Sequence, residues 1–177
     1  GDLESTGAFE CSNPLFNELH EIGLRTHLNY IHNYPNDPTR EKAGWSEDIQ
    51  NMFDSASYLT DTAVMYEQWW RDYADTQLED GNVSSVAPTN IGDVQTWNDP
   101  WWGGMIVYAP WRLYEFYGDR QVLENAYEPM KRYVSYLTEL ADKTGGVLEW
   151  AGASDWIEVG IEGWGPPKRT PTFLVST

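Results

Sequence analysis

Cys11 is the only cysteine among 177 residues. That excludes an internal disulfide and a metal centre built on several thiolates, and it leaves the redox compartment unread. Basic residues are also scarce: 11 Lys and Arg stand against 28 Asp and Glu, a formal net charge of −17. Such a chain repels phosphate, so neither nucleic acid nor an anionic membrane surface is expected as a partner. No apolar run approaches the roughly 20 residues that a membrane-spanning helix needs. The three histidines, His20, His27 and His32, lie on or near one helical segment without carboxylates at ligand spacing. No metal is expected there, and packing or surface roles are the default. Neither Gly145-Gly146 nor the stretch from Gly163 to Pro167 carries a phosphate-loop pattern. No cofactor is expected.

What is abundant is apolar and aromatic. Hydrophobic residues make up 41% and aromatics 15%, which argues for a packed core despite the charge. The length suits one domain. Ten Trp and eleven Tyr are many for it, and most belong in a core. Helical spacing gives that role to Trp69 and Trp70. The run Trp97-Asn98-Asp99-Pro100-Trp101-Trp102 sits in a loop setting. There, indole faces can stack on the C–H faces of a sugar while Asn and Asp take its hydroxyls, for at least one of Trp97, Trp101 and Trp102.

The first helical pattern opens at Asn13-Pro14, with Asn as cap and Pro in the first turn. Leu15, Leu19, Ile22, Leu28 and Ile31 extend its stripe to about His32. After a loop to Trp45, Ser46 can cap a second helix with Glu47 and Asp48 at its electropositive start. Apolar residues from Ile49 to Tyr73 keep three–four spacing, which predicts one long helix. Residues 78–100 lack a period and read as a long loop. A helix follows to Tyr117, stopped by Gly118, with Asp119 as the next cap. Val122, Leu123 and Ala126 predict a short helical turn, and Glu128-Pro129 a restart into a stripe ending at Gly145-Gly146. Val147–Trp150 reads as a short strand, and 152–170 as a loop. Thr170-Pro171 then reads as a helix start. A chain ending just inside a helix is expected to be a fragment of a longer protein.

Helices joined alternately by short and long connections suit an all-α (α/α)6 toroid, with the long loops gathered at one mouth. A plain helical bundle explains the stripes equally well, but leaves three Trp- and Asp-bearing loops without a purpose.

The segment from Pro35 to Asp48 is chemically the densest. It holds the carboxylates Asp37, Glu41, Glu47 and Asp48, the cations Arg40 and Lys42, and Trp45, and it ends where a helix begins. A site that protonates a leaving group, holds developing positive charge and stacks on a sugar ring would use all of these. On composition alone, Glu41 is a salt-bridged surface residue in an Arg-Glu-Lys run and Asp48 a helix-start acid. Asp155 is equally readable as a turn residue.

Pro35–Asp48, Trp102–Trp111 and Ser154-Asp155-Trp156 resemble the catalytic domain of bacterial α-L-rhamnosidases, glycoside hydrolases with an (α/α)6 barrel. Phe9–Leu15, Tyr117-Gly118-Asp119 and Tyr127–Met130 are similar to that family in the same order. The resemblance covers about the first half of the barrel, so 1–177 is expected to be the N-terminal part of one catalytic domain. It implies that Glu41, ahead of Gly44-Trp45, is the general acid. It implies sugar-binding roles for Asp37, Arg40, Trp45, Asp48, Trp102, Asp155 and Trp156, to which the loop setting of the tryptophan run adds Trp97 and Asp99. Two departures stand out. One residue fewer separates Asp37 from Glu41, and Gly104 replaces the acid of a family Trp-Gly-Asp, a place Asp99 could fill.

The implied reaction is inverting hydrolysis of terminal α-L-rhamnose, with a rhamnoside as partner and the general base beyond residue 177. A general acid needs a raised pKa. Asp37 and Asp48 would raise that of Glu41, while Arg40 and Lys42 would lower it. Two other readings stay open: a different α/α-toroid glycosidase or lyase, and a non-catalytic carbohydrate-binding helical domain. Oligomeric state is not legible.

Overall fold

The computed structural model describes residues 3–32, 34–36, 42–88 and 98–150, and the backbone of 172–175. Among the described residues six helices dominate: α1 (Pro14–Tyr30), α2 (Ser46–Leu59), α3 (Ala63–Ala74), α4 (Pro100–Gly103), α5 (Met105–Tyr117) and α6 (Arg120–Asp142). Two strands, β1 (Val147–Trp150) and β2 (Thr172–Val175), pair antiparallel with Val147 opposite Val175.

Several boundaries follow from local chemistry. Asn13 caps α1 by accepting the Leu15 N–H at 3.1 Å, and Asp119 caps α6 by accepting that of Gln121 at 2.8 Å. Gly118 ends α5 in the left-handed conformation at φ 69°, where a side chain would be strained.

Four expectations are corrected. The single helix expected from Ser46 to Tyr73 is two, broken at Thr60-Asp61-Thr62. Thr60 is extended, its Oγ is tied to His27, and Asp61 accepts the Ala63 N–H to open α3. Both halves face one core, so the apolar period runs through the break unmarked. Ser46 does not cap α2; the cap position is Trp45, and the Ser46 hydroxyl bonds elsewhere. Pro129 does not restart a helix but lies inside α6. Its flanks explain the tolerance: Ala126 and Tyr133 are both buried, and its carbonyl accepts from Gln77 at 3.0 Å. Finally, Thr172–Val175 is strand rather than helix, as its β-branched and aromatic composition favours.

Three contacts fix the arrangement of α2 and α5. Ser46 at the start of α2 bonds the Trp102 carbonyl just before α5, at 2.9 Å. Midway, Asp54 takes the Arg112 guanidinium at 2.8 and 2.6 Å. At the far end Thr62 meets the Tyr117 hydroxyl at 3.0 Å. The two helices therefore run parallel, side by side. Helix α3 returns antiparallel, with Trp70 Nε1 donating to Ile106 O at 3.1 Å, and α6 returns after the two-residue connection at Gly118-Asp119. The short connections 60–62 and 118–119 share one end, and 42–46, 82–88 and 98–99 meet at the other.

The core lies between these helices. Ile49 and Phe53 of α2, Tyr66, Trp69 and Trp70 of α3, Met105 and Ile106 of α5, and Tyr133 of α6 fill it, with Phe53 stacked on Tyr66 at 4.0 Å. Trp69 and Trp70 are core residues, as their spacing predicts. On α1 the stripe of Leu15, Leu19, Ile22 and Leu28 is exposed, and His27 and Tyr30 make the buried contact instead. Among the described residues, no helix is long and apolar enough to cross a membrane.

Candidate active site

At the end where 42–46, 82–88 and 98–99 meet, a second small apolar cluster forms from Ala43, Trp45, Val86 and Trp102. The chain from 43 to 46 lies antiparallel to 85–87. Trp45 bridges Val86, Ala87 N donates to Gly44 O at 2.9 Å, and Ser46 N donates to Ser85 O at 3.0 Å. Gly44 is required by this approach, because a Cβ there would sit 1.9 Å from the Ala87 carbonyl oxygen. Gly103 is held as tightly, since its Cβ would lie 2.2 Å from the Tyr133 hydroxyl.

The structure brings together four of the residues singled out from sequence. Trp45 and Trp102 meet edge to face, 5.4 Å apart at 89°, with 7% and 4% of their surface exposed. Asp99 is 5% exposed and caps α4, its Oδ1 accepting the N–H of Trp101 at 2.9 Å and of Trp102 at 3.4 Å. Asp48 stands in the first turn of α2, partly buried, one turn beyond Trp45. Trp101, weighed for sugar stacking, is half exposed on α4. Glu41, Asp37, Arg40, Trp97, Asp155 and Trp156 lie outside the described residues.

Sequence reasoning missed the polar network beneath these rings. Ser46 and Ser85 are fully buried and link 43–46, 84–87 and 99–102; nothing in a lone Ser-Glu-Asp or Ser-Ser signals this. Asn36, just ahead of Asp37, is 1% exposed and donates to Tyr34 O at 3.0 Å. Its Oδ1 has no partner among the described residues. Among those residues, no cluster of His, Cys, Asp and Glu could hold a metal ion.

Paired helices, short turns at one end and an indole-walled meeting of long connections at the other define a helical toroid, of which this chain is a sector. The sequence profile of the bacterial alpha-L-rhamnosidase 6 hairpin glycosidase domain matches residues 4–177, and the chain belongs to that family. It is 35% identical over 177 residues to an alpha-L-rhamnosidase of Streptomyces avermitilis, covering 97% of this chain and 16% of that protein. It superimposes on the alpha-L-rhamnosidase structure from Dictyoglumus thermophilum with a TM-score of 0.83 at 32% identity, over 94% of this chain and 18% of that one. A Streptomyces avermitilis alpha-L-rhamnosidase complexed with L-rhamnose gives 0.82 at 33% identity, over 90% and 15%. The chain thus spans less than a fifth of each of these proteins.

Proposed function

We propose that these 177 residues are the N-terminal part of the catalytic barrel of an inverting α-L-rhamnosidase, supplying its general acid and most of one sugar subsite. Glu41 donates the proton to the leaving oxygen. Asp37, Arg40, Trp45, Asp48, Trp97, Asp99, Trp102, Asp155 and Trp156 surround the rhamnose, and the general base comes from outside these residues. In an inverting pair the two carboxyls stand roughly 6.5–9.5 Å apart, leaving room for the attacking water.

One observation carries this reading: Trp45 and Trp102 meet where 42–46 and 98–102 converge, at one end of the parallel helices α2 and α5. Residues 42–46, which follow Glu41 in the chain, run beside this indole pair, and the match to the rhamnosidase domain from residue 4 onward supports reading them as part of a sugar site. The relative complexed with L-rhamnose supports that sugar as the substrate class.

The test is a panel of 4-nitrophenyl glycosides offered to the full-length gene product. Preference for the α-L-rhamnoside is expected. Preference for another sugar favours a different toroid glycosidase. Binding of rhamnose by calorimetry without hydrolysis of any substrate favours a carbohydrate-binding domain.

A further inference from the structure

Three segments of the candidate site are tied at one buried hydroxyl. Ser46 is fully buried at the first position of α2. Its N–H donates to Ser85 O at 3.0 Å, and its Oγ lies 3.0 Å from that same oxygen and 2.9 Å from Trp102 O. One hydroxyl proton cannot fully serve two carbonyls. The second proton comes from Tyr73, also fully buried, whose hydroxyl is 3.3 Å from Trp102 O. Burial holds that phenol well above its usual range, so it stays a donor. Ser85 completes the node by accepting the Asp99 N–H on its Oγ at 2.8 Å.

The node joins the chain entering α2 to the chain entering α4. Beyond it, toward Glu41, the backbone is held twice more: Gly44 O accepts from Ala87 N at 2.9 Å, and Lys42 O accepts from the Tyr34 hydroxyl at 3.0 Å. Lys42 itself sits at φ 54°, an uncommon conformation for a residue with a side chain. The segment that follows Glu41 is therefore clamped along its length, and Ser46 is the clamp shared with the Trp102 segment.

We propose that Ser46, with Tyr73 behind it, is a positioning residue for proton donation: it fixes residues 42–46, which follow Glu41 in the chain, against the Trp102 segment, and proton transfer to the leaving oxygen depends on that anchorage. This rests on the rhamnosidase reading and extends it to a residue that touches no substrate. Misplacement of a reacting group by about 1 Å can cost on the order of 10²-fold in rate. The cost falls on general-acid catalysis and spares leaving groups that depart without a proton.

The experiment compares an alkyl α-L-rhamnoside with 2,4-dinitrophenyl α-L-rhamnoside, using the full-length protein and Ser46→Ala. The variant is expected to lose at least about tenfold in kcat on the alkyl substrate. On the dinitrophenyl substrate it should keep kcat close to wild type, with KM little changed on both. Equal losses on the two substrates, or wild-type kcat on both, would overturn the positioning role. If Ser46→Ala does not fold, Tyr73→Phe is read by the same criterion. A wild-type protein inactive on both rhamnosides overturns the underlying reading instead, and the positioning role with it.

Discussion

The indole of Trp45 meets that of Trp102 edge-on, with centroids 5.4 Å apart and ring planes at 89°. Trp45 precedes α2, Trp102 belongs to α4, and 56 residues separate them in the chain. An edge-to-face pair contributes about 0.5–1.5 kcal/mol beyond the area it buries. A double-mutant cycle with Trp45→Leu and Trp102→Leu, read by denaturant unfolding, should return a coupling in that range. Additive effects would mean that the rings pack independently.

Gly44→Ala should act through the same junction. Its Cβ would fall 1.9 Å from Ala87 O, so the 43–46 and 85–87 segments must separate. The expected destabilisation is about 1–3 kcal/mol, typical of overpacking a closed site. Gly23→Ala is the control, since a Cβ at Gly23 meets nothing within 4 Å. Equal melting temperatures for Gly44→Ala and the wild type would contradict the close approach.

His27 predicts an acid sensitivity. It is 1% exposed, its Nε2 is 2.7 Å from Thr60 Oγ1, and burial lowers its pKa below the usual 6.5. The folded protein therefore holds the imidazole neutral, while the unfolded chain takes up a proton as the pH drops below about 6.5. Stability from this residue is complete above that pH and declines below it, until the folded imidazole itself protonates. Thermal melts across this window should fall more steeply for the wild type than for His27→Gln. Parallel curves would exclude His27 as the source.

Pro129 interrupts the hydrogen-bond ladder inside α6, where proline costs up to about 3 kcal/mol relative to alanine. Pro129→Ala restores an N–H to the helix and should raise the melting temperature. A lower value would show that ring packing outweighs the missing bond.

Much of this fold was legible as periodicity and capping. Asn13-Pro14, Gly118-Asp119 and Gly145-Gly146 mark helix ends because each relies on local backbone chemistry. The break at Thr60 was not legible, because Leu59 and Ala63 keep the apolar period while the cause, His27 and the bridge to Ser5, lies far away in sequence. Nor was the continuity of α6 through Pro129, which tertiary contacts on both sides secure. At the site, the aromatic and acidic residue types stood out in the chain. The Ser46–Ser85 node did not, because serine is ordinary in loops and only its burial gives it weight.

Proton donation by Glu41 to the leaving oxygen stands or falls with the turnover of Glu41→Gln. In the full-length protein, kcat on an alkyl α-L-rhamnoside should fall by orders of magnitude while the melting temperature stays near that of the wild type. Near-wild-type turnover by that variant would contradict the claim.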